Sequence, residues 1–320
     1  IKIMAYSSIV KPSDYFNTVL YTGNGGTNAI TGVGFQPDWT WIKGRSIAEQ
    51  HMLYDAVRGV TKDIRSDSAG AENTNASTLT AFGTDGFTLG SLQNVNNNTS
   101  TYASWNWSGA NGTPTTTDGS ISSTVSANTT SGFSIVSYTG NASTLQTVGH
   151  GLGVTPKMII VKNRSTAGAW MVYHESLGVS SGTIQRFIQL DNTNAQNNGG
   201  AGDFPTAPTS SVFGIGNFDT MNKSGDNIIA YCFAEKKGYS KFGSYVGNNS
   251  NDGSFIYTGF KPAWVLIKRY DAAASWFIFD NSAENASQEF LLKTQTVYQQ
   301  IAHVHGDLGR NIVVYVSKII

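Results

Sequence analysis

The side chains best equipped for chemistry in this chain are five histidines, one cysteine and a few carboxylates that close aromatic segments. The histidines are His51, His150, His174, His303 and His305, and the cysteine is Cys232. His303 and His305 are two residues apart, which places both on one face of a strand. With Asp307 close by they offer the donor types of a metal site, but polar residues in a divergent tail are the plainer reading. His150 lies in Gly149-His150-Gly151-Leu152-Gly153, a turn with no acid or nucleophile at readable spacing. Cys232 stands between Tyr231 and Phe233 in an apolar run, where an inert buried thiol is expected. Glycoside cleavage needs two carboxylates across a cleft. Asp55, Glu175 and Asp280 end aromatic segments, yet the counterpart of Asp55 and Asp280 in the middle of the chain is His174. A position held so loosely argues against cleavage. Gly23-Asn24-Gly25-Gly26 is the nearest approach to a phosphate loop, and it lacks the following helix and lysine. The expectation is no catalytic residue, no cofactor and no metal.

Two sets of residues suit ligand contact better. Lys43, Lys162 and Lys268 recur at one position and are the most constant charges in the chain. A lysine at the end of an apolar strand ordinarily lays its stem on its neighbours and carries its ammonium to water. Trp105 and Trp107 alternate with Asn106, so the pair is expected to present one surface outward. Together these five form a candidate ligand surface. Trp39, Trp41, Trp264 and Trp276 lie in runs apolar on both faces and read as core.

The elements that carry these residues repeat. Tyr21-Thr22-Gly23-Asn24, Tyr138-Thr139-Gly140-Asn141 and Tyr245-Val246-Gly247-Asn248 are three versions of one turn. Each is followed by a glycine, a proline (Pro37, Pro156, Pro262) and an apolar run ending at the shared lysine. Then comes an aromatic run: Met52-Leu53-Tyr54-Asp55, Met171-Val172-Tyr173-His174 and Phe277-Ile278-Phe279-Asp280. Proline, lysine and aromatic are separated by 119 residues between the first two copies and by 106 between the last two. Three landmarks in constant register define a tandem array. The later part of each copy recurs more loosely, as Asp85 to Gly90 with Tyr102 to Trp107, then Ser211 to Gly216 with Ile228 to Ala234. The third copy retains a last strand, Ile312 to Val316, and is shorter.

Within a copy the spacing predicts short strands joined by Gly- and Asn-rich turns. The fold class is all-β: three tandem β-sandwich, jelly-roll-like modules, the third truncated or divergent. Residues 1–18 read as an arm, 19–110 as module one, 111–130 as a Gly/Ser/Thr linker, 131–238 as module two and 239–320 as module three. Helix is scarce, with Ala69 to Thr78 the best short candidate. Charged residues are 13% of the chain and balance at 21 of each sign, so a duplex nucleic acid partner is not expected. No run of about 18 apolar residues exists, so no membrane insertion is expected. Ile1 to Val10 lacks the pattern of a signal peptide, and Met4 is a candidate for the natural start. A lone cysteine allows no disulfide within the chain, which leaves cores or oligomerisation to supply stability.

The elements Tyr21–Gly25, Gly34–Lys43, Tyr54–Gly59, Asp85–Gly90 and Tyr102–Trp107 resemble those of tandem-repeat proteins of marine tailed bacteriophages. Residues 124–162 and 208–268 are similar to the same proteins, and the match fades beyond about residue 285. The resemblance implies a tail-fibre-like virion structural protein on the outside of the particle. Its partners would be other virion proteins and, by analogy with fibres, two further copies in a trimer. A capsid-surface decoration protein is the alternative. Host-surface glycan binding is compatible with either role, and a polysaccharide depolymerase is the remote third reading.

Overall fold

The computed structural model describes residues 7–110, 115–117, 119–249, 253–282 and 311–317. It is nearly all β, built from antiparallel sheets, and its modules are sandwich-like. No helix among the described residues is long and apolar enough to cross a membrane.

The same four strands in the same order form the heart of each module. In module one they are Phe16–Thr22, Thr101–Trp107, Trp39–Gly44 and Met52–Asp55. In module two they are Phe133–Thr139, Asn227–Phe233, Met158–Asn163 and Met171–His174. In module three they are Ser240–Val246, Asn311–Ser317, Trp264–Arg269 and Trp276–Asp280. Each order places the last strand of the module between its first and its lysine-bearing strand. Registers agree as well: Phe16 pairs with Trp107, Phe133 with Phe233 and Ser240 with Ser317.

Modules one and two each add a second sheet. In module one it comprises Asn28–Thr31, Gly86–Leu89 and Leu79–Gly83. In module two it is Gln146–Gly149 with Val212–Ile215. Two faces of one strand therefore enter two different cores, because side chains alternate across a strand. Ile42, Ile159 with Val161, and Val265 with Ile267 face cores private to their own modules. Trp39 and Trp41, Met158 and Ile160, and Trp264 and Leu266 all join one central core. Every pair of modules meets there through rings. Trp39 stacks on Tyr231 at 4.5 Å, Trp107 meets Trp264 edge-on at 5.5 Å, and Phe233 lies 5.3 Å from Tyr315.

The turn after the first strand is tied down identically in modules one and two. Asn96 and Asn222 are buried in single helical turns, Gln93–Asn96 and Asp219–Asn222. Asn96 donates to Asn24 Oδ1 and to the Gly26 and Gly90 carbonyls, and accepts from the Asn24 amide at 2.9 Å. Asn222 repeats this with Asn141, Ser143 and Gly216. Gly23 and Gly140 let the two segments touch: a Cβ on either would sit 2.2 Å from a backbone oxygen.

Several expected boundaries move. The first strand of module one begins at Phe16, inside the expected arm, and pairs along its length with Thr101–Trp107. The expected linker supplies Thr115–Thr117 and Ser123–Asn128 to the main sheet of module two. Its Ser/Thr composition hid strand residues that are compatible with a pleated edge. Ala69 to Thr78 is not helical; it holds the short strand Asn73–Thr74 and turns. Among the described residues, module three contributes only its four-stranded sheet.

Candidate functional site

The central core is bounded by contacts that run in one direction around the three modules, two of them hydrogen-bonded. Tyr231 of module two donates its hydroxyl to Asp55 of module one at 2.7 Å. Trp105 of module one, which holds the equivalent position to Tyr231, donates its indole N–H to Asp280 of module three at 2.8 Å. The Thr18 hydroxyl adds a second donor to that carboxylate at 2.5 Å. The third equivalent, Tyr315 of module three, lies with His174 of module two in the lining of a small internal space. The loosely kept position Asp55/His174/Asp280 thus meets the last strand of a neighbouring module each time. Among the described residues none of these three is paired with another acid, and Glu175 pairs with Lys157.

The repeated lysines follow the same rotation. Lys162 donates to the Ala69 carbonyl of module one at 3.1 Å and to the Gly168 carbonyl of its own module at 2.8 Å. Lys268 donates to the Thr193 carbonyl of module two at 3.0 Å and to the Ala274 carbonyl of its own module. Beside them, Trp170 donates to the Arg65 and Ser68 carbonyls and Trp276 to the Gln189 carbonyl. Burial lowers the ammonium pKa of both lysines to about 8. Lys43, the third of the set, donates to the Glu49 carbonyl within its module.

The five candidate ligand residues therefore divide. Trp107, Lys162 and Lys268 are buried and offer no ligand surface. The alternation Trp105-Asn106-Trp107 points both rings inward, to the core the modules share. The lysines end at neighbouring carbonyls instead of water, because the strand end on which they sit is covered by the next module's loop. Trp105 is buried as well, at 5% exposure, and Lys43 is half-buried, but these two differ in position. They line a cleft of about 430 Å³ where all three modules meet.

Module one brings Trp41, Lys43, His51, Ser66, Asp67 and Trp105 to this cleft. Module two brings the loop Leu190 to Thr193, and module three brings Leu266 and Ser275 to Ile278. The indoles are all spoken for: Trp41 donates to His51 Nδ1 at 2.9 Å, Trp105 to Asp280 and Trp276 to Gln189. No indole N–H of these three is left over for a ligand. His51 accepts at Nδ1, so its neutral ring carries the proton on Nε2. Burial, then Lys43, lowers its pKa to about 4 against an opposing pull from Asp67. Asp191 accepts the Trp170 amide at 3.0 Å, and burial raises its pKa above the usual carboxylate range. Asp67, Asp191 and Asn192 escape a reading of the sequence because they sit in loops of different modules, and His51 is visible there only as one of five histidines. Only the equivalence of His51 with Trp170 hints at a junction position.

Elsewhere the candidate residues are structural. The His150 ring lies between the Leu152 amide at 3.2 Å and the Thr209 carbonyl at 3.2 Å. Cys232 is buried and its thiol pKa is raised by desolvation. Among the described residues no three His, Cys, Asp or Glu side chains converge as a metal site requires. His303, His305 and Asp307 lie outside the described residues.

Fold and contacts define an all-β, sandwich-like protein in which three related modules pack on one core within a single chain. The chain belongs to a family described as a domain of unknown function, DUF7483, whose model matches residues 11–311. That span runs from ahead of the first strand of module one into module three. No curated protein matches the chain.

Proposed function

We propose that this chain is a non-enzymatic virion structural protein carried on the outside of a phage particle, as the terminal unit of a tail fibre or other appendage. The observation that carries the reading is the closure of three related modules on a shared core by one-way contacts. Such contacts are heterologous and close into a ring when the rotation permits. One chain thereby acquires an approximate three-fold form, and fibre modules commonly associate as three copies about a shaft, an argument by analogy. The likeness of the repeated elements to phage virion proteins supports the same class.

The self-contained core also favours a second reading, a capsid-surface decoration protein. The inner faces are already covered, so a single copy needs no partner to bury them. Light scattering of the purified chain separates the two. A mass three times the 34.3 kDa chain supports the fibre. A stable 34.3 kDa species supports the decoration protein or an adaptor. Gold-labelled antibody on particles then locates it at the tail or on the capsid. Absence of the chain from purified particles would overturn both readings. Release of reducing ends from host polysaccharide would overturn the non-enzymatic assignment.

A further inference from the structure

The cleft at the three-module junction has a composition that selects its ligand. Its floor is carbon: Trp276 is partly exposed there, and Trp41, Trp105 and Leu266 line it with 5% exposure or less. The indole N–H groups of that floor are already bonded within the protein, so the rings add no donor of their own. Its rim is mostly neutral or acidic: Ser66, Asp67, Asp191, Asn192, Thr193 and Ser275. The one cation, Lys43, has its ammonium on the Glu49 carbonyl. A volume of about 430 Å³ falls among ordinary small-molecule sites.

Each property excludes a class of ligand. A phosphate or nucleic acid asks for clustered cations, and here two carboxylates face one lysine. A wholly apolar ligand would strip water from the rim's hydroxyl, amide and carboxylate groups without replacing their hydrogen bonds. A ligand that fits has one face of C–H groups to lie on indole carbon and an edge of hydroxyls to meet carboxylate and amide. It is also uncharged or close to it. That is the chemistry of a pyranose ring. We propose that this cleft is a binding site for a neutral saccharide unit.

The cleft needs all three modules, since its wall takes Asp67 from the first, Asp191 and Asn192 from the second and Trp276 from the third. Binding is therefore a property of the assembled array and of no single module. The inference deepens the external-appendage reading, because a surface-exposed virion protein meets host polysaccharide. It does not depend on the oligomeric mass or on the particle location, so its failure is separable from theirs.

The test is saturation-transfer difference NMR of the full chain at millimolar sugar. The probes are glucose, galactose, mannose and N-acetylglucosamine, with glucuronate and inorganic phosphate as charged comparisons. Tryptophan fluorescence supplies a second readout, since three indoles line the site. At least one neutral sugar is expected to show saturation transfer and a fluorescence change. Asn192→Ala and Asp67→Asn, which alter the rim and leave the indole floor in place, are expected to weaken binding about tenfold, consistent with the loss of one hydrogen bond to a charged or amide group. Thermal melts of both variants check that the array remains folded. No response to any neutral sugar would overturn the proposal. So would a preference for glucuronate or phosphate, or neutral-sugar binding unchanged in both folded variants.

Discussion

The junction between modules one and two and the junction between modules two and three use the same structural position for opposite chemistry. At the first, Asp55 is wholly buried and charged interactions surround it. It takes the Tyr231 hydroxyl at 2.7 Å, the Arg58 amide at 2.8 Å and the Arg58 Nε. Arg58 also reaches Glu72 at 3.1 Å and the Leu53 carbonyl at 2.9 Å. Burial works against its charge, but Asp55, Tyr231 and Glu72 outweigh that and raise its pKa above the ordinary arginine value. At the second, the equivalent residue is His174. It accepts the Ser176 amide at Nδ1, packs 6.3 Å from the Phe242 ring of module three, and leaves Nε2 without a partner at normal hydrogen-bond geometry. Burial lowers its pKa to about 4, and the nearby Val314 backbone offsets only part of that. One junction needs charge and the other needs neutrality. The shared architecture sets where a neighbour must be met, and leaves open how.

The largest effect expected from this comparison is at Asp55. Asp55→Ala leaves the Arg58 guanidinium buried with Glu72 as its remaining acid and leaves the Tyr231 hydroxyl without its acceptor. Removing one member of a buried pair typically costs about 3–5 kcal/mol. Urea denaturation is expected to show that loss in a single transition, because the central core is common to all modules. Separate transitions for modules one and two would break the picture of one cooperative core.

Acid should act on the other junction. His174 has an ordinary pKa of 6.5 that falls to about 4 on folding. A base whose folded pKa is depressed gives its stability in full above the unfolded value and loses it as pH falls toward the folded one. The window is therefore pH 6.5 down to 4, and the total is roughly 3 kcal/mol. His51 and His150 are also lowered by burial and add to the same trend. His174→Asn retains an acceptor for the Ser176 amide and cannot take up the proton. Its melting temperature is expected to vary less between pH 7 and 4.5 than that of the unaltered chain. Equal slopes would remove His174 as the sensitive group.

How much of this was open to a reader of the sequence divides along the same line. The constant spacing of Pro37, Pro156 and Pro262, with the lysine and aromatic that follow, located the repeated strands. Ile312 to Val316 was recognisable as the last strand of module three. Apolar residues on both faces of Met158 to Val161 showed a strand between two layers, but a strand's pattern does not say which neighbour covers it. The outer layer belongs to the module and the inner layer to the other two. Asp55, His174 and Asp280 were visible as equivalents, while their partners, 175 or more residues away for the two aspartates, were not. The pair Asn96 and Asn222 carried a usable signal, since they share the spacing of Trp105 and Tyr231. The strands at 115–117 and 123–128 were masked by composition, because Ser and Thr serve turns and sheet edges alike.

The lysines offer an intermediate test of the rotation. Lys162→Met keeps the stem and removes the ammonium from the Ala69 carbonyl, which retains the Gly168 amide, and from the half-buried Gly168 carbonyl. The expected loss is about 1–3 kcal/mol. Lys43→Met, at the half-buried position beside the cleft, should cost less, since water can reach the acceptor it vacates. Equal losses in denaturation experiments would mean that the lysine stems, and not their reach into the neighbouring module, set the stability.

The smallest effect belongs to the rim of the first junction. Glu72 takes Arg164 of module two through both oxygens, at 2.9 and 3.0 Å, and takes Arg58 of module one at 3.1 Å. Burial raises its pKa, but the Arg164 and Arg58 interactions outweigh it and hold it below the usual carboxylate value. Its contribution is thus present above the ordinary glutamate pKa and is lost only as pH falls below it, under most of the histidine window. Glu72→Gln keeps one acceptor for two arginines and should cost about 1 kcal/mol, the scale of a partly exposed ion pair in a network. A cycle with Arg164→Met separates the part that crosses between modules from the part that supports Arg58. Coupling near zero would mean that Glu72 serves Arg58 alone, and that the charge at this junction ends at Asp55.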